Sequence, residues 1–378
     1  METYDNAMRR QVYSLPQLVS DQYLDLEPKT RKILSTPEIF SIQRIVLTGC
    51  GDSHAAAIAT KYAFEELTGI PTEVVPAIEL SRNYAEWQLG FAPHNPLVIA
   101  VSNSGGIARV GEAIQRAVKH GAFALGITGN IESLLAKSAS RVLPLSVAPF
   151  ESSPGVRSYL VSVLSLLLMA IRIGEVRGRY TMDQAMHYRN DLLRQAVLLE
   201  QLLPKMDAAM LRLAQQWKEL EAFDFIGSGS DYASAFYGQA KAFEATGKYA
   251  MCVNTEEWLH LNFFMRRYDQ IGTVVSCDSR NPAASRTAEL VAYAARDLKR
   301  PLLVVSDECR WNLNGAEYVA VPKTDYALSS AMTQYVPAAL LMGYIGEMIG
   351  EVDGRGCEGN WRFAQGGAAI QNSEMIVL

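Results

Sequence analysis

The chain has 378 residues, 49% of them hydrophobic and 20% charged, an ordinary globular balance with length for two domains. Its formal net charge of −5 argues against nucleic acid or an anionic membrane as partner. Cys50, Cys252, Cys277, Cys309 and Cys357 are scattered without Cys-x-x-Cys spacing, which fits a reducing cytoplasm and no structural zinc.

Residues 1–40 read as a helical arm, broken by Pro16 and Pro28. The opening Met1-Glu-Thr-Tyr-Asp-Asn6 is acidic and polar and does not read as a signal peptide. Arg44–Thr48, Gly49-Cys-Gly51 and a helix to Leu67 follow as strand, glycine turn and helix, with Asp52 or Ser53 as the expected cap. Pro71–Ala77 reads as a short strand.

The organising stretch is Val98-Ile-Ala-Val-Ser-Asn-Ser-Gly-Gly106. Its run from Leu97 to Val101 is continuously apolar, as a parallel strand buried on both faces is. Ser102, Asn103 and Ser104 then offer short polar side chains, Gly105 and Gly106 permit a tight turn, and Ile107–His120 continues as a helix. Free N–H groups and the positive dipole end of that helix suit an anion, phosphate above all. An ordinary N-cap and turn would look the same on the loop alone.

Phe123–Thr128 and Arg141–Ser146 read as strands, and Val156–Gly174 as a long apolar helix. Its most apolar run, Leu160–Ile171, is too short to span a bilayer and reads as a buried or subunit-facing segment. Residues 176–218 are helix-rich, broken at Pro204, and read as a connector. The pattern then restarts. Ala222–Ile226 and Gly227-Ser-Gly229 repeat strand and glycine turn, with Gln270–Ser276 and Pro301–Ser306 as further strands and Ala283–Leu298 and Ser329–Ile349 as helices. The expected architecture is α/β, two tandem flavodoxin-like domains, each a parallel sheet with helices on both faces. The boundaries are 1–40 for the arm, 41–175 for the first domain, 176–218 for the connector, 219–352 for the second domain and 353–378 for a tail. The second half has Ser276-Cys-Asp-Ser-Arg-Asn-Pro282 where the first has Ser-Asn-Ser-Gly-Gly, so the phosphate cradle is expected in the first half only.

Two further stretches carry chemistry. Lys241 and Glu244 stand three apart, on one face of a helix of mostly apolar surface. That pair reads either as a surface ion pair or as a partly buried carboxylate suited to proton abstraction. His260 is expected in the first turn of the helix that starts at Thr255-Glu-Glu257, either as a structural residue or as a base kept neutral by the helix amino terminus. No histidine pair has ligand spacing, so no catalytic metal is expected. His54 stands where a Gly-x-Gly-x-x-Gly fingerprint needs glycine, which argues against dinucleotide binding; no cofactor is expected.

Together these stretches resemble the double-domain sugar isomerase (SIS) family, over about residues 40 to 350. The form is similar to the isomerase half of glucosamine-6-phosphate synthase and to related phosphosugar deaminases and Amadori deglycases. The resemblance rests on Gly49-Cys-Gly-Asp-Ser53, Ser102-Asn-Ser-Gly-Gly-Ile107, Val156-Arg-Ser-Tyr159, Ala240-Lys-Ala-Phe-Glu244 and Glu256-Glu-Trp-Leu-His-Leu-Asn262. It implies phosphate binding by Gly51, Ser53, Ser102, Asn103, Ser104, Gly105 and Ser158. It implies Glu244 as the catalytic base, Lys241 beside it, and His260 as the ring-opening histidine. In the family that histidine reaches the site from a neighbouring subunit, so a homodimer or higher homo-oligomer with shared sites is implied. Three departures stand out: Ile107 replaces a threonine, Leu261-Asn262 replaces Gly-Pro, and no lysine follows Lys323. No amidotransferase nucleophile opens the chain, so ammonia delivery from glutamine is not expected. The implied function is aldose–ketose isomerisation of a sugar or amino-sugar 6-phosphate, with or without deamination or deglycation, in the cytoplasm. The rival is a non-catalytic phosphosugar-binding regulator.

Overall fold

The computed structural model describes residues 4–90, 96–308, 314–351 and 370–378. Cys309, Cys357 and most of the 353–378 tail lie outside them. Two parallel sheets of five strands form, each built by a strand–helix alternation.

The arm is α1 (Ala7–Tyr13), α2 (Leu15–Ile33) and α3 (Thr36–Ser41). Pro16 falls in the first turn of α2, where a missing N–H costs little. Pro28, expected to break the arm, lies inside α2. Pro28 and Leu24 both face solvent, so water can satisfy the Leu24 carbonyl left without its usual donor.

The first sheet takes β1 (Ile45–Thr48), β2 (Thr72–Val74), β3 (Leu97–Val101), β4 (Phe123–Thr128) and β5 (Arg141–Pro144) in the order β2-β1-β3-β4-β5. Helix α4 (Asp52–Thr68) follows β1, α5 (Ala108–Lys119) follows β3, and α6 (Leu134–Ser138) follows β4. Strands β1 and β3 are buried along their whole length. Val46, Val98, Ala100 and Ala124 pack against Val110, Ala113 and Ile114 of α5. The alternate residues Leu47, Ile99 and Leu125 are equally buried, so both faces are covered.

Helix α7 (Arg157–Val176) is longer than the expected apolar run. Its 20 residues are long and apolar enough to cross a membrane, yet 83% of its most apolar stretch is buried in the protein. It is a core helix. Helix α8 (Met182–Trp217) runs unbroken through Pro204, correcting the expected break. The reason is the same as at Pro28: Pro204 and Glu200 are exposed, while Leu199, Leu203, Met206 and Met210 hold the buried side.

The second sheet takes β6 (Ala222–Ile226), β7 (Tyr249–Val253), β8 (Ile271–Cys277), β9 (Leu302–Ser306) and β10 (Glu317–Ala320) in the order β10-β9-β8-β6-β7. Helices α9 (Asp231–Thr246), α10 (Thr255–Leu261), α11 (Ala284–Arg296) and α12 (Val336–Met348) complete it. Renumbered from its own first strand, this is the order of the first sheet. Strands β7 and β10 escaped the sequence reading; both are short edge strands, only partly buried.

The chain packs as two compact units that are not continuous in sequence. The first comprises the described residues of Val19–Pro149, Ser158–Asn190 and Arg355–Leu378; the second, those of Met1–Leu18, Phe150–Arg157 and Asp191–Gly354.

Candidate active site

In a sheet of this order the strand sequence reverses between β1 and β3, and the crevice outside their carboxyl ends is the place for a ligand. Thr48 pairs with Ala100 in parallel register, so the turn at 49–53 and the loop at 102–107 leave the sheet side by side. Gly51 caps α4 with φ 55, and no side chain caps that helix. Asp52 and Ser53, expected as caps, are therefore its first helical residues instead. A Cβ at Gly49 would lie 2.8 Å from the Ser53 Cβ, so the turn closes only on glycine. Burial holds the His54 imidazole below its ordinary pKa, so it enters the first turn of α4 as a neutral group.

The second loop is braced from below. The Ser102 hydroxyl is buried and accepts the Gly105 N–H at 3.1 Å. Gly105 takes φ 67, and a Cβ there would meet the Ser133 Oγ at 2.0 Å and the Thr128 Oγ1 at 2.7 Å. Gly129 N–H and the Thr128 hydroxyl both donate to the Asn103 carbonyl, at 3.0 Å and 3.4 Å. Asn103 and Ser104 are left as the exposed polar side chains. Ile107 is the N-cap of α5, and no side chain caps it. Its amino end thus presents backbone donors beside the exposed pair. Thr128 and Ser133 were missed by sequence reasoning; only the positive φ at Gly105 makes them visible.

Ser158 lies in the first turn of α7. Its neighbour Tyr159 is buried, and burial together with the Asp52 carboxylate drives its phenol far above the usual range. Helix α7 therefore begins beside the 49–53 turn. Gly51, Ser53, Ser102, Asn103, Ser104, Gly105 and Ser158 all belong to the first unit, around one end of its sheet.

In the second unit, Lys241 and Glu244 stand on α9 as expected, but burial falls on the lysine. Lys241 is 0% exposed and Glu244 43% exposed at the side chain, with Nζ donating to Oε2 at 2.5 Å. Phe243 and Glu244 take outward positions between the buried pairs Lys241–Ala242 and Ala245–Thr246, which places the carboxylate at the surface and its partner beneath. The ammonium also lies 4.9 Å from the Tyr237 ring centroid, one helical turn back. Tyr237 is fully buried, and its hydroxyl donates to the Gly155 carbonyl at 3.0 Å. A carboxylate open to substrate, backed by a desolvated cation, is an arrangement suited to moving a proton.

His260 is exposed and lies in the last turn of α10, not the first. Helix α10 has seven residues, and His260 stands at the opposite end from its amino terminus. The helix is pinned from beneath. Asp224 Oδ2 accepts from Trp258 Nε1 at 3.0 Å, from Arg300 Nη1 at 2.9 Å and from the Asn262 amide at 3.1 Å. The Arg300–Asp224 pair is buried on both sides. Asn262, noted above as a departure from Gly-Pro, thus joins the platform that fixes His260.

Residues 38–172 match the model of the SIS domain. A glutamine–fructose-6-phosphate aminotransferase (isomerizing) of Gloeobacter violaceus is 25% identical over 355 residues, 89% of this chain and 55% of that protein. The chain carries a SIS domain. It is homologous to the isomerase part of these aminotransferases, and it spans about half the length of the curated relatives it matches. The C-terminal domain of glucosamine-fructose-6-phosphate aminotransferase from Francisella tularensis superposes with a TM-score of 0.81 at 18% identity, covering 92% of this chain and 98% of that one. Tagatose-6-phosphate ketose/aldose isomerase from Escherichia coli superposes at 0.70 with 15% identity, covering 92% and 96%. At these identities the structures establish the shared fold.

Within the SIS match lie both first-unit loops and Ser158. Lys241, Glu244 and His260 lie beyond residue 172, in the part aligned with the aminotransferase.

Proposed function

We propose that this SIS protein interconverts the aldose and ketose forms of a sugar or amino-sugar 6-phosphate. The backbone of the 102–107 loop, with Asn103 and Ser104, holds the phosphate, assisted by Ser53 and Ser158. Ser102 and Gly105 shape that loop. Glu244 carries a proton between C1 and C2, and Lys241 fixes its carboxylate or meets the developing oxyanion. His260 serves the ring oxygen during opening. The observation that carries this reading is the exposed Glu244 carboxylate bound to a fully buried Lys241. A positioned base of this kind supplies about 10²–10⁴-fold, and donors aimed at an oxyanion about 10²–10³-fold more. Loss of an amine from the same enediol(amine) would make the reaction a deamination or deglycation. The rival reading, a phosphosugar sensor, has no use for a desolvated lysine under a solvent-facing carboxylate.

The test is a panel of hexose 6-phosphates, amino-sugar 6-phosphates and phosphorylated Amadori compounds, each incubated with the protein in heavy water and followed by NMR. Deuterium entering at C1 or C2 of one phosphosugar, and not of its unphosphorylated counterpart, is the expected result. Ligands that raise the melting temperature without any exchange would favour the sensor.

A further inference from the structure

The second unit repeats the scaffold of the phosphate loop strand for strand, yet its donors turn inward. Ile226 pairs with Val275 as Thr48 pairs with Ala100. Counted from that register, Ser102-Asn-Ser-Gly-Gly106 falls on Cys277-Asp-Ser-Arg-Asn281, one residue later than the sequence pattern suggests. Gly49 and Gly227 follow equivalent strand ends, so Ser53 falls on Asp231.

Asp231 is the first residue of α9 and is 1% exposed. Its Oδ2 accepts the Asp278 N–H at 3.0 Å and the Asn281 amide at 2.7 Å. Its Oδ1 accepts the Gln334 amide at 2.8 Å. The next loop donors are also spent on carboxylates: Ser279 N–H on Asp307 at 2.8 Å, and Arg280 N–H on Asp278 at 2.8 Å. Asp278, the nearest like charge, is itself paired with Arg280 at 3.1 Å. A loop N–H and two side-chain amides thus converge on one buried carboxylate at the amino end of α9, where the first unit offers loop donors and a helix amino end to solvent.

We infer that the second unit contains a second anion cradle, occupied by its own Asp231 carboxylate. Asp231 is thereby the positioning residue that fixes the amino end of α9, the helix of Lys241 and Glu244. The inference borrows from the proposed function only the reading of the first loop as an anion cradle.

The test uses inorganic phosphate at pH 8 with the full chain. Asp231→Gly removes the carboxylate and its methylene, leaving space and unspent donors for an oxyanion. Phosphate is expected to raise the melting temperature of Asp231→Gly by several degrees more than that of the native chain. Equilibrium dialysis is expected to show an added bound phosphate in the variant. Building both proteins on Ser104→Ala separates the two readings. Phosphate gained by Asp231→Gly in that background supports the second cradle whatever the first loop does. If the variant does not fold in chloride, its soluble yield on refolding is expected to recover in phosphate. An equal response of both proteins, a yield indifferent to phosphate, or two phosphates bound by the native chain would overturn the inference.

Discussion

Ser104 is the side chain of the first-unit loop that stands exposed with its hydroxyl beside the Gly106 N–H, at 3.4 Å. A hydrogen bond to a charged oxygen is worth about 1.5–3 kcal/mol, so Ser104→Ala should weaken a phosphosugar at least tenfold in isothermal titration. Its unphosphorylated analogue should change little; equal weakening of both would place the phosphate elsewhere. Asp231 makes a separate prediction. Burial is the main cause that pushes its pKa up to about 7, and the neighbouring Asp278 charge adds to it. The folded state therefore binds this proton more tightly than the unfolded chain. The stabilisation is complete below the ordinary carboxylate range and is lost as pH rises through about 7. Its slope is at most about 1.4 kcal/mol per pH unit. Urea melts from pH 5 to 8 should show that decline in the native chain, and Asp231→Asn should flatten it.

Among the elements, α10 depends most on a partner it does not contain. Seven residues make no stable helix alone, so its place is set by Trp258, Asn262 and the Arg300–Asp224 pair. Arg300→Met strands the Asp224 charge in the interior and should cost about 3–5 kcal/mol in denaturant unfolding. Adding Asp224→Asn should recover part of that loss, because the remaining group is neutral. A loss that is no smaller in the double variant would show that Arg300 acts through packing on the Trp258 ring. None of this platform was legible in the sequence. Asp224 sits in a strand pattern, Arg300 in a turn, and nothing in their spacing links them. The first-unit loop was legible because glycine and short polar residues follow an apolar run, and the topology then requires a turn at the strand's carboxyl end. The Lys241–Glu244 pair was legible from helical spacing, but which partner is buried depends on the packing of Tyr237. The helix phase of His260 was misread because its end is set by Asn262 and not by a local signal. Pro28 and Pro204 misled for a related reason: a proline breaks a helix only where nothing else holds the turn.

At the scale of the whole molecule, the repeat is what the sequence conveyed best. Both sheets keep one strand order, and both glycine turns open a helix at the first strand's end. The composition of the two units was not legible. Phe150–Arg157 packs with the second unit through Gln11 and Tyr237, although the strand before it belongs to the first. The end of the chain lies along α5, where the Ile376 N–H donates to Glu112 at 2.6 Å and Arg109 to Ser373 at 2.9 Å. Such pairings join residues more than 80 positions apart, and no local pattern encodes them. The proposed function assigns phosphate to the repeat whose loop is open and proton transfer to the repeat whose loop is closed.

The most direct measurement is the rate at which solvent deuterium enters C1 and C2 of the bound phosphosugar, compared between the native chain and Glu244→Gln. The account predicts exchange slowed by about 10²–10⁴-fold, with the dissociation constant for the same sugar changed by less than about threefold, since Glu244 acts on carbon and not on phosphate. Exchange at the native rate in Glu244→Gln would contradict it.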